Sequence, residues 1–450
     1  MRYLPQTEKE IEKMCETIGV KSTSDLFRSI PESLRLKSLL SIPKALPEQE
    51  LISHLKKLSR TNETVDHYAS FLGAGAYHHY VPVAVNTLIS RGEFATSYTP
   101  YQAELSQGTL QAIFEFQTMV ASLLGLEIAN ASNYDGSTAL AEAVLMSLRL
   151  QKKKPRVILA KSIHPEYRQV VKTTVKHLGA EIVEVGCDAS GRVDGAELQK
   201  LLNGECAAFC VQSPNFFGVV EDLKALSHAA HAKESLFVSV VGDPVSLGLL
   251  ASPGSCGADI AVGEGHSFGN FLNLGGPYLG LFATKKEFLR QMPGRLAGET
   301  VDTQGQRGFV LTFNTREQHI RREKATSNIC TNQSLCALAA AIHLSLLGPQ
   351  GLKKLAEMNF AKAEYAKEKL LGISGVKTAL QGPTFNEFVL SLPQPVEGVL
   401  SKLREKKIFG GFDLKKDYPE IKNGLLVCVT EMLSKDDIDR FAEELKKVLS

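Results

Sequence analysis

Short β-branched runs alternate with amphipathic stretches through the middle of the chain. Runs occupy 157–160, 181–185, 207–212, 236–241, 259–263 and 278–283, and the first four are separated by segments at 164–179, 194–202 and 222–232 with apolar positions at helical spacing. Strand alternating with helix at this interval predicts βαβ units and a mainly parallel sheet, with any ligand site at the carboxyl ends of its strands. Residues 1–65 are charged, with Leu36, Leu39, Leu40 and then Leu51, Leu55, Leu58 at helical intervals and turn signals at Pro31, Pro43 and Pro47. They read as short helices that pack onto something else. After Gly308 the pattern turns helical, with a long stretch at 317–347 closed by Gly348 and Pro349. The end of the chain, with runs at 386–392 and 425–429 and helical segments at 396–406 and 435–449, predicts a small α+β domain. Ser434 and Asp437 are spaced as a capping box for its last helix. The expected division is 1–65 helical, 66–315 large α/β, and 316–450 C-terminal helix with a small α+β domain.

Composition narrows the function classes. With 51 Lys plus Arg against 49 Asp plus Glu, the net charge of +2 gives no broad field for nucleic acid. The longest apolar run, 336–347, falls short of the ~18 residues a membrane span needs. The first residues mix Glu8, Glu10 and Glu12 with Lys9 and Lys13 and lack an apolar signal core, so a cytoplasmic location is expected. The 8 cysteines show no C-x-x-C pairing, so neither a zinc cage nor a disulfide framework is expected, and no metal site is assigned.

Four segments could carry chemistry. Phe71-Leu-Gly-Ala-Gly-Ala-Tyr-His-His-Tyr-Val-Pro82 contains a G-x-G, but no third glycine follows and the segment runs into Pro82, which argues against a dinucleotide site. It leaves a turn beside Tyr77, His78, His79 and Tyr80. Adjacent histidines can bind metal or move protons, but with no carboxylate close in sequence they read as hydrogen-bonded interface residues. In Ser97-Tyr-Thr-Pro-Tyr-Gln-Ala-Glu104, the residues Thr99, Pro100 and Gln102 fit an N-cap, an N1 proline and an N3 glutamine, predicting a helix from here to Gly125. Tyr98, Tyr101 and Glu104 are not needed for capping and could hold a polar ligand. Asn133-Tyr-Asp-Gly-Ser-Thr138 leads onto a helix, where free N–H groups and the Ser137 and Thr138 hydroxyls suit a phosphate or carboxylate, although an ordinary cap explains the same residues. Finally, Asp243 ends a β-run, and a glycine-rich loop follows at 263–280.

This order of helix-anion site, strand-end acid and glycine-rich loop resembles pyridoxal phosphate enzymes of the aspartate aminotransferase type. There the phosphate takes the helix N-terminus, the acid pairs with the pyridinium nitrogen, and a lysine in the later loop binds the coenzyme. Here no Lys lies between Ser252 and Thr284, and the slot holds His266-Ser267-Phe268. Without a primary amine, this chain is expected to hold no cofactor covalently. Lys285 and Lys286 lie past the last β-run and read as solvated surface.

The segment 71–108, together with Thr315-Arg-Glu-Gln-His-Ile-Arg-Arg-Glu-Lys-Ala-Thr-Ser-Asn-Ile-Cys-Thr331 and Val429-Thr-Glu431, resembles the P-protein of the glycine cleavage system. The likeness covers nearly the whole chain and is to the amino-terminal half of the fused enzyme, a separate subunit 1 where the enzyme is split. It implies an α/β fold of the pyridoxal-phosphate-dependent transferase type I, with a mainly parallel central sheet and a smaller C-terminal α+β domain. It implies a reaction in which glycine forms an external aldimine with pyridoxal phosphate, loses carbon dioxide, and passes its aminomethyl group to the lipoyl arm of H-protein. The partner, subunit 2, would bear the lysine and the cofactor, with two copies of each subunit. No residue of this chain would then be catalytic alone. Tyr98, Tyr101, Gln102 and Glu104, with Tyr77 and His78 next, would face a site shared across the interface, and Ser137, Thr138, Asp243 and Ser267 would line a vestigial cofactor pocket. An i,i+4 pair such as Glu317 with Arg321 contributes only ~0.3–0.5 kcal/mol, so the charge-dense run of Arg316, Glu317, Arg321, Arg322 and Glu323 reads better as an interface contact. The rival reading is a structural or regulatory subunit with no residue in the active site.

Overall fold

Five runs form a parallel array, and the four away from its edge are almost wholly buried, as strands covered on both faces need apolar side chains throughout rather than in alternation. The computed structural model describes residues 5–38, 40–329 and 331–450, so Leu39 and Cys330 lie outside the described residues. The strands are β1 (Ile128–Ala129), β2 (Arg156–Ala160), β3 (Glu181–Val185), β4 (Cys206–Gln212), β5 (Leu236–Val241), β6 (Ile260–Glu264) and β7 (Gly280–Thr284). They build one seven-stranded sheet in the order β1-β7-β6-β5-β4-β2-β3. β3, β2, β4, β5 and β6 pair in parallel, and β7 runs antiparallel to both β6 and β1. Every residue of β4 and β5 is buried, and Cys206 and Cys210 pack as small apolar groups with free thiols.

The chain divides into two compact units, Met1–Glu63 and Thr64–Ser450. In the first, helix α1 (Glu8–Ile18) is opened by a Thr7–Glu10 capping box and closed by Gly19 at φ 80°. Helix α2 (Glu48–Ser59) follows Pro47. Cys15 is the one buried side chain among the described residues of this unit, and Leu36, Leu40, Leu51, Leu55 and Leu58 are exposed.

In the second unit, helices α3 (Gln107–Leu124) and α4 (Gly136–Leu150) flank the sheet. After it come an antiparallel hairpin of β8 (Leu296–Val301) and β9 (Arg307–Thr312), and the long helix α5 (Ser334–Leu371). The chain ends in a four-stranded sheet of β10 (Lys377–Thr378), β11 (Glu387–Ser391), β12 (Phe412–Asp413) and β13 (Gly424–Cys428), ordered β10-β11-β13-β12 and antiparallel. Helix α6 (Lys435–Leu449) closes it through the expected Ser434–Asp437 capping box.

Three local expectations are corrected. Thr99, Pro100 and Gln102 lie in turns, and α3 starts at Gln107. Thr99 caps no helix, and its hydroxyl accepts from the Arg295 guanidinium. The helical reading after Gly308 missed β9. The long helix begins at Ser334 rather than near 317, while Gly348, non-helical at φ 62° and ψ 174°, closes its first segment as expected and a second segment led by Pro349 follows across a kink. By length and hydropathy α5 could cross a bilayer. Instead Cys336, Ala337, Ala340, Ala341 and Ala356 join the core shared with Phe116 and Val120 of α3.

Candidate functional site

Asp243 lies two residues past the end of β5, where a strand's carboxyl edge opens toward ligand in sheets of this class. It is 4% exposed, and its carboxylate is saturated. Oδ1 accepts from the Val245 N–H at 3.2 Å and the Ser267 hydroxyl at 3.0 Å, and Oδ2 accepts from Asn386 Nδ2 at 2.8 Å. The fourth partner is His79, whose Nε2 is 3.1 Å from Oδ2 while its Nδ1 is 2.8 Å from Glu431 Oε2. Burial alone would push the imidazole down, but Asp243 and Glu431 together hold its pKa up at about 10. Burial would likewise raise Asp243, and the charged His79 holds it below the ordinary carboxylate value.

The turn that delivers His79 is pinned by Glu387 at the start of β11. Oε1 takes the Ala74 N–H at 2.7 Å and Oε2 the Tyr77 hydroxyl at 2.8 Å. Gly73 permits this approach, since a Cβ there would stand 2.3 Å from Glu387 Oε1. Burial pushes Glu387 up to about 7. The Tyr77 N–H meets His266 Nε2 at 3.1 Å, and the His266 ring stacks on Tyr278 with centroids 4.9 Å apart. Burial holds His266 down at about 4, so it is neutral.

The N-terminus of α4 is the second part of the pocket. Asp135 caps it, accepting the Thr138 N–H at 2.9 Å, and the Ser137 hydroxyl turns onto the same carboxylate. The Gly136 N–H goes to Glu264 Oε2 at 2.9 Å. Glu264, fully buried and driven up to about 8 by burial, also takes the His266 and Leu279 N–H groups at 3.0 and 2.9 Å. A cleft of about 400 Å³ opens beside it, walled by Tyr134, His164, Tyr167 and Tyr278 with Asp135 and Glu264 at its floor. Pyridoxal phosphate does not fit these residues. The amine is absent, two N–H groups that would hold the phosphate already serve carboxylates, and Asp243 already holds a cation.

Tyr98 and Tyr101 lie elsewhere, 67% and 79% exposed on the turns before α3. They wall a cavity of about 440 Å³ with Thr99, Arg295, Asn314 and Glu317. Gln102 and Glu104 are exposed on the same turns but outside that lining. Tyr77 is buried and bonded inward, and His78 is half-buried with its carbonyl accepting from the Thr430 hydroxyl at 2.7 Å. The structure therefore groups Asp243 and Ser267 directly and joins Tyr77 to them through His266 and Glu387. Ser137 and Thr138 sit at the α4 cap.

In the charge-dense run, Glu317 faces Arg295 and His319, each at 3.7 Å, rather than Arg321, the helix-face partner weighed as the alternative to an interface contact. Arg316 is buried with its guanidinium on the carbonyls of Met292, Gly294 and Phe313. Lys285, expected to be free surface, pairs with the buried Asp259 carboxylate. Among the described residues no group of three His, Cys, Asp or Glu side chains could hold a metal ion.

Sequence reasoning read His79 only as one of two adjacent histidines at an interface, and it passed over Glu264, Glu387 and Asp135. Asp135 had a local signal, since an acid immediately before Gly-Ser-Thr at a helix start is the better N-cap.

Residues 1–445 match the family described as glycine cleavage system P-protein. A protein of Desulfitobacterium hafniense named probable glycine dehydrogenase (decarboxylating) subunit 1 is 50% identical over 448 residues, covering 100% of both chains. One of the same name from Geobacillus kaustophilus is 51% identical over 444 residues, covering 99% of this chain and 98% of its own. Among solved structures, the inhibitor-bound crystal structure of glycine decarboxylase (P-protein) of the glycine cleavage system superposes with a TM-score of 0.90 at 45% identity, covering 100% of both chains. A Burkholderia pseudomallei sphingosine-1-phosphate lyase, at TM-score 0.68 and 17% identity over 93% of this chain and 94% of its own, shares the fold alone. The fold is thus that of the pyridoxal-phosphate-dependent transferases of type I, and the chain belongs to the glycine cleavage system P-protein family.

Proposed function

We propose that the chain is subunit 1 of a split glycine decarboxylase, working with a second, lysine-bearing subunit that carries pyridoxal phosphate. The observation that carries this reading is the pair of clusters at Asp243 and at the α4 N-terminus, where the fold is kept while the amine, the phosphate donors and the free acid are all missing or engaged. Catalysis at that place would have to come from another chain. The contribution of this chain is a surface that completes the partner's site and excludes water from it. Tyr98 and Tyr101, exposed beside a cavity with Arg295 and Glu317 in its wall, support the placement of that surface on the turns before α3. Gln102 and Glu104 lie on the same turns, and Tyr77 and His78 support the adjoining loop. The aminomethyl group would leave on the lipoyl arm of H-protein, in a cytoplasmic assembly with two copies of each subunit.

The test is reconstitution with subunit 2 and H-protein, measuring release of labelled carbon dioxide from glycine. This chain alone is expected to release none. Tyr98→Phe or Glu104→Ala is expected to lower turnover while leaving the assembled mass unchanged. Unchanged turnover in both variants would favour the purely structural subunit instead.

A further inference from the structure

The residues oppose pyridoxal phosphate at three places, and the missing amine is only one of them. At Asp243 the structure does not leave an idle acid. It presents a flat cationic ring, with one nitrogen 3.1 Å from Asp243 Oδ2 and the other 2.8 Å from Glu431 Oε2. A neutral imidazole has a single N–H and would turn a lone pair toward one of these two oxygens, whereas the imidazolium satisfies both. Asp243 is 4% and His79 7% exposed, so water cannot take over the pairing. At α4 the donors are likewise taken. The Asp135 carboxylate and the Glu264 carboxyl group accept the Thr138 and Gly136 N–H groups, the anion-binding end of the helix. Tyr167 closes over it, since a Cβ on Gly136 would stand 2.5 Å from its hydroxyl oxygen.

We propose that the His79 imidazolium stands in for the pyridinium and the Asp135 and Glu264 carboxyl groups for the phosphate, so that the groups that would hold the coenzyme are already engaged and the cleft beside α4 does not take up pyridoxal phosphate even when a lysine is restored. The proposal rests on the family reading of the cleft but not on any activity of the assembly. It assigns His79 a positioning role, because the ring fixes the 71–82 turn between the sheet edge and the C-terminal domain and touches no substrate.

The experiment uses the isolated full-length chain, pyridoxal phosphate, borohydride reduction and peptide mapping, with the unaltered chain as background. Ser267→Lys alone is expected to show no reduced adduct at the introduced lysine. Ser267→Lys combined with His79→Gly, checked for fold by circular dichroism, is expected to gain at least roughly tenfold more adduct there, the factor corresponding to ~1.4 kcal/mol. A stoichiometric adduct in the single variant overturns the proposal, and so does equal labelling of the single and double variants. A second measurement needs no altered fold. With ¹⁵N-labelled histidine, the signal of His79, assigned by its loss in His79→Gln, is expected to show both ring nitrogens protonated at about pH 8, where an unperturbed histidine is neutral. A neutral tautomer there overturns the assignment. None of these readouts involves subunit 2 or glycine. An inactive reconstituted complex would sink the functional reading and leave this one standing, and an adduct on the single variant would do the reverse.

Discussion

A histidine held between two carboxylates is stabilising only while all three are present. His79→Ala leaves the buried Asp243 carboxylate without its cation and is expected to lower stability by about 3–5 kcal/mol, read from urea denaturation. Adding Asp243→Asn to it is expected to recover part of that loss. The pH dependence follows from the direction of each shift. His79 is raised from 6.5 to about 10, and Glu264 and Glu387 are raised from 4.5 to about 8 and about 7, so their contributions are complete in acid and fade as pH climbs through these values. Asp243 and Glu431 are lowered, and their contributions are lost as pH falls below the ordinary carboxylate range. Stability is therefore expected to peak on the acid side of neutrality and decline toward pH 10, and His79→Gln is expected to flatten the alkaline limb. At this scale the sequence showed the strand-end acid and the empty lysine slot, both of which depend on neighbours along the chain. It named His79 but not its pairing, because its partners Asp243 and Glu431 lie 164 and 352 residues away.

Local signals predicted elements well where nothing distant competed with them. The Ser434 capping box and the buried β4 and β5 runs are written in a few adjacent residues and appear as read. The Thr99-Pro100-Gln102 signal was equally good chemistry but starts no helix: α3 begins at Gln107, and the Thr99 hydroxyl meets Arg295, almost two hundred residues on. Hairpin strand β9 escaped because only Phe309 of it is buried, leaving no alternation to detect. Two substitutions probe element ends. Asp135→Ala is expected to cost about 0.5–2 kcal/mol by uncapping α4. Gly73→Ala should cost about 1–3 kcal/mol through overpacking, because the added carbon would meet Glu387 Oε1 at 2.3 Å and Cys428 Cβ at 2.6 Å. Both are measured by thermal or urea unfolding of the full chain.

The whole molecule shows two compact units of unequal independence. The first buries one described side chain, Cys15, whereas the second holds several apolar clusters of its own. Residues 64–450 expressed alone are expected to give the far-ultraviolet dichroism of a folded α/β protein and a cooperative melt, and an unfolded spectrum would contradict this. The fold class was readable from the alternation of runs, since a parallel sheet writes its burial directly into sequence. The pairing of residue 79 with residues 243 and 431 also sets an order in time. During synthesis Asp243 and His79 emerge long before Glu431, so the turn at 71–82 and the edge of the central sheet must wait for the last part of the chain before they can lock. A message truncated before codon 431 would yield a chain with its principal sheet complete, its imidazolium half-anchored and helix α6 missing.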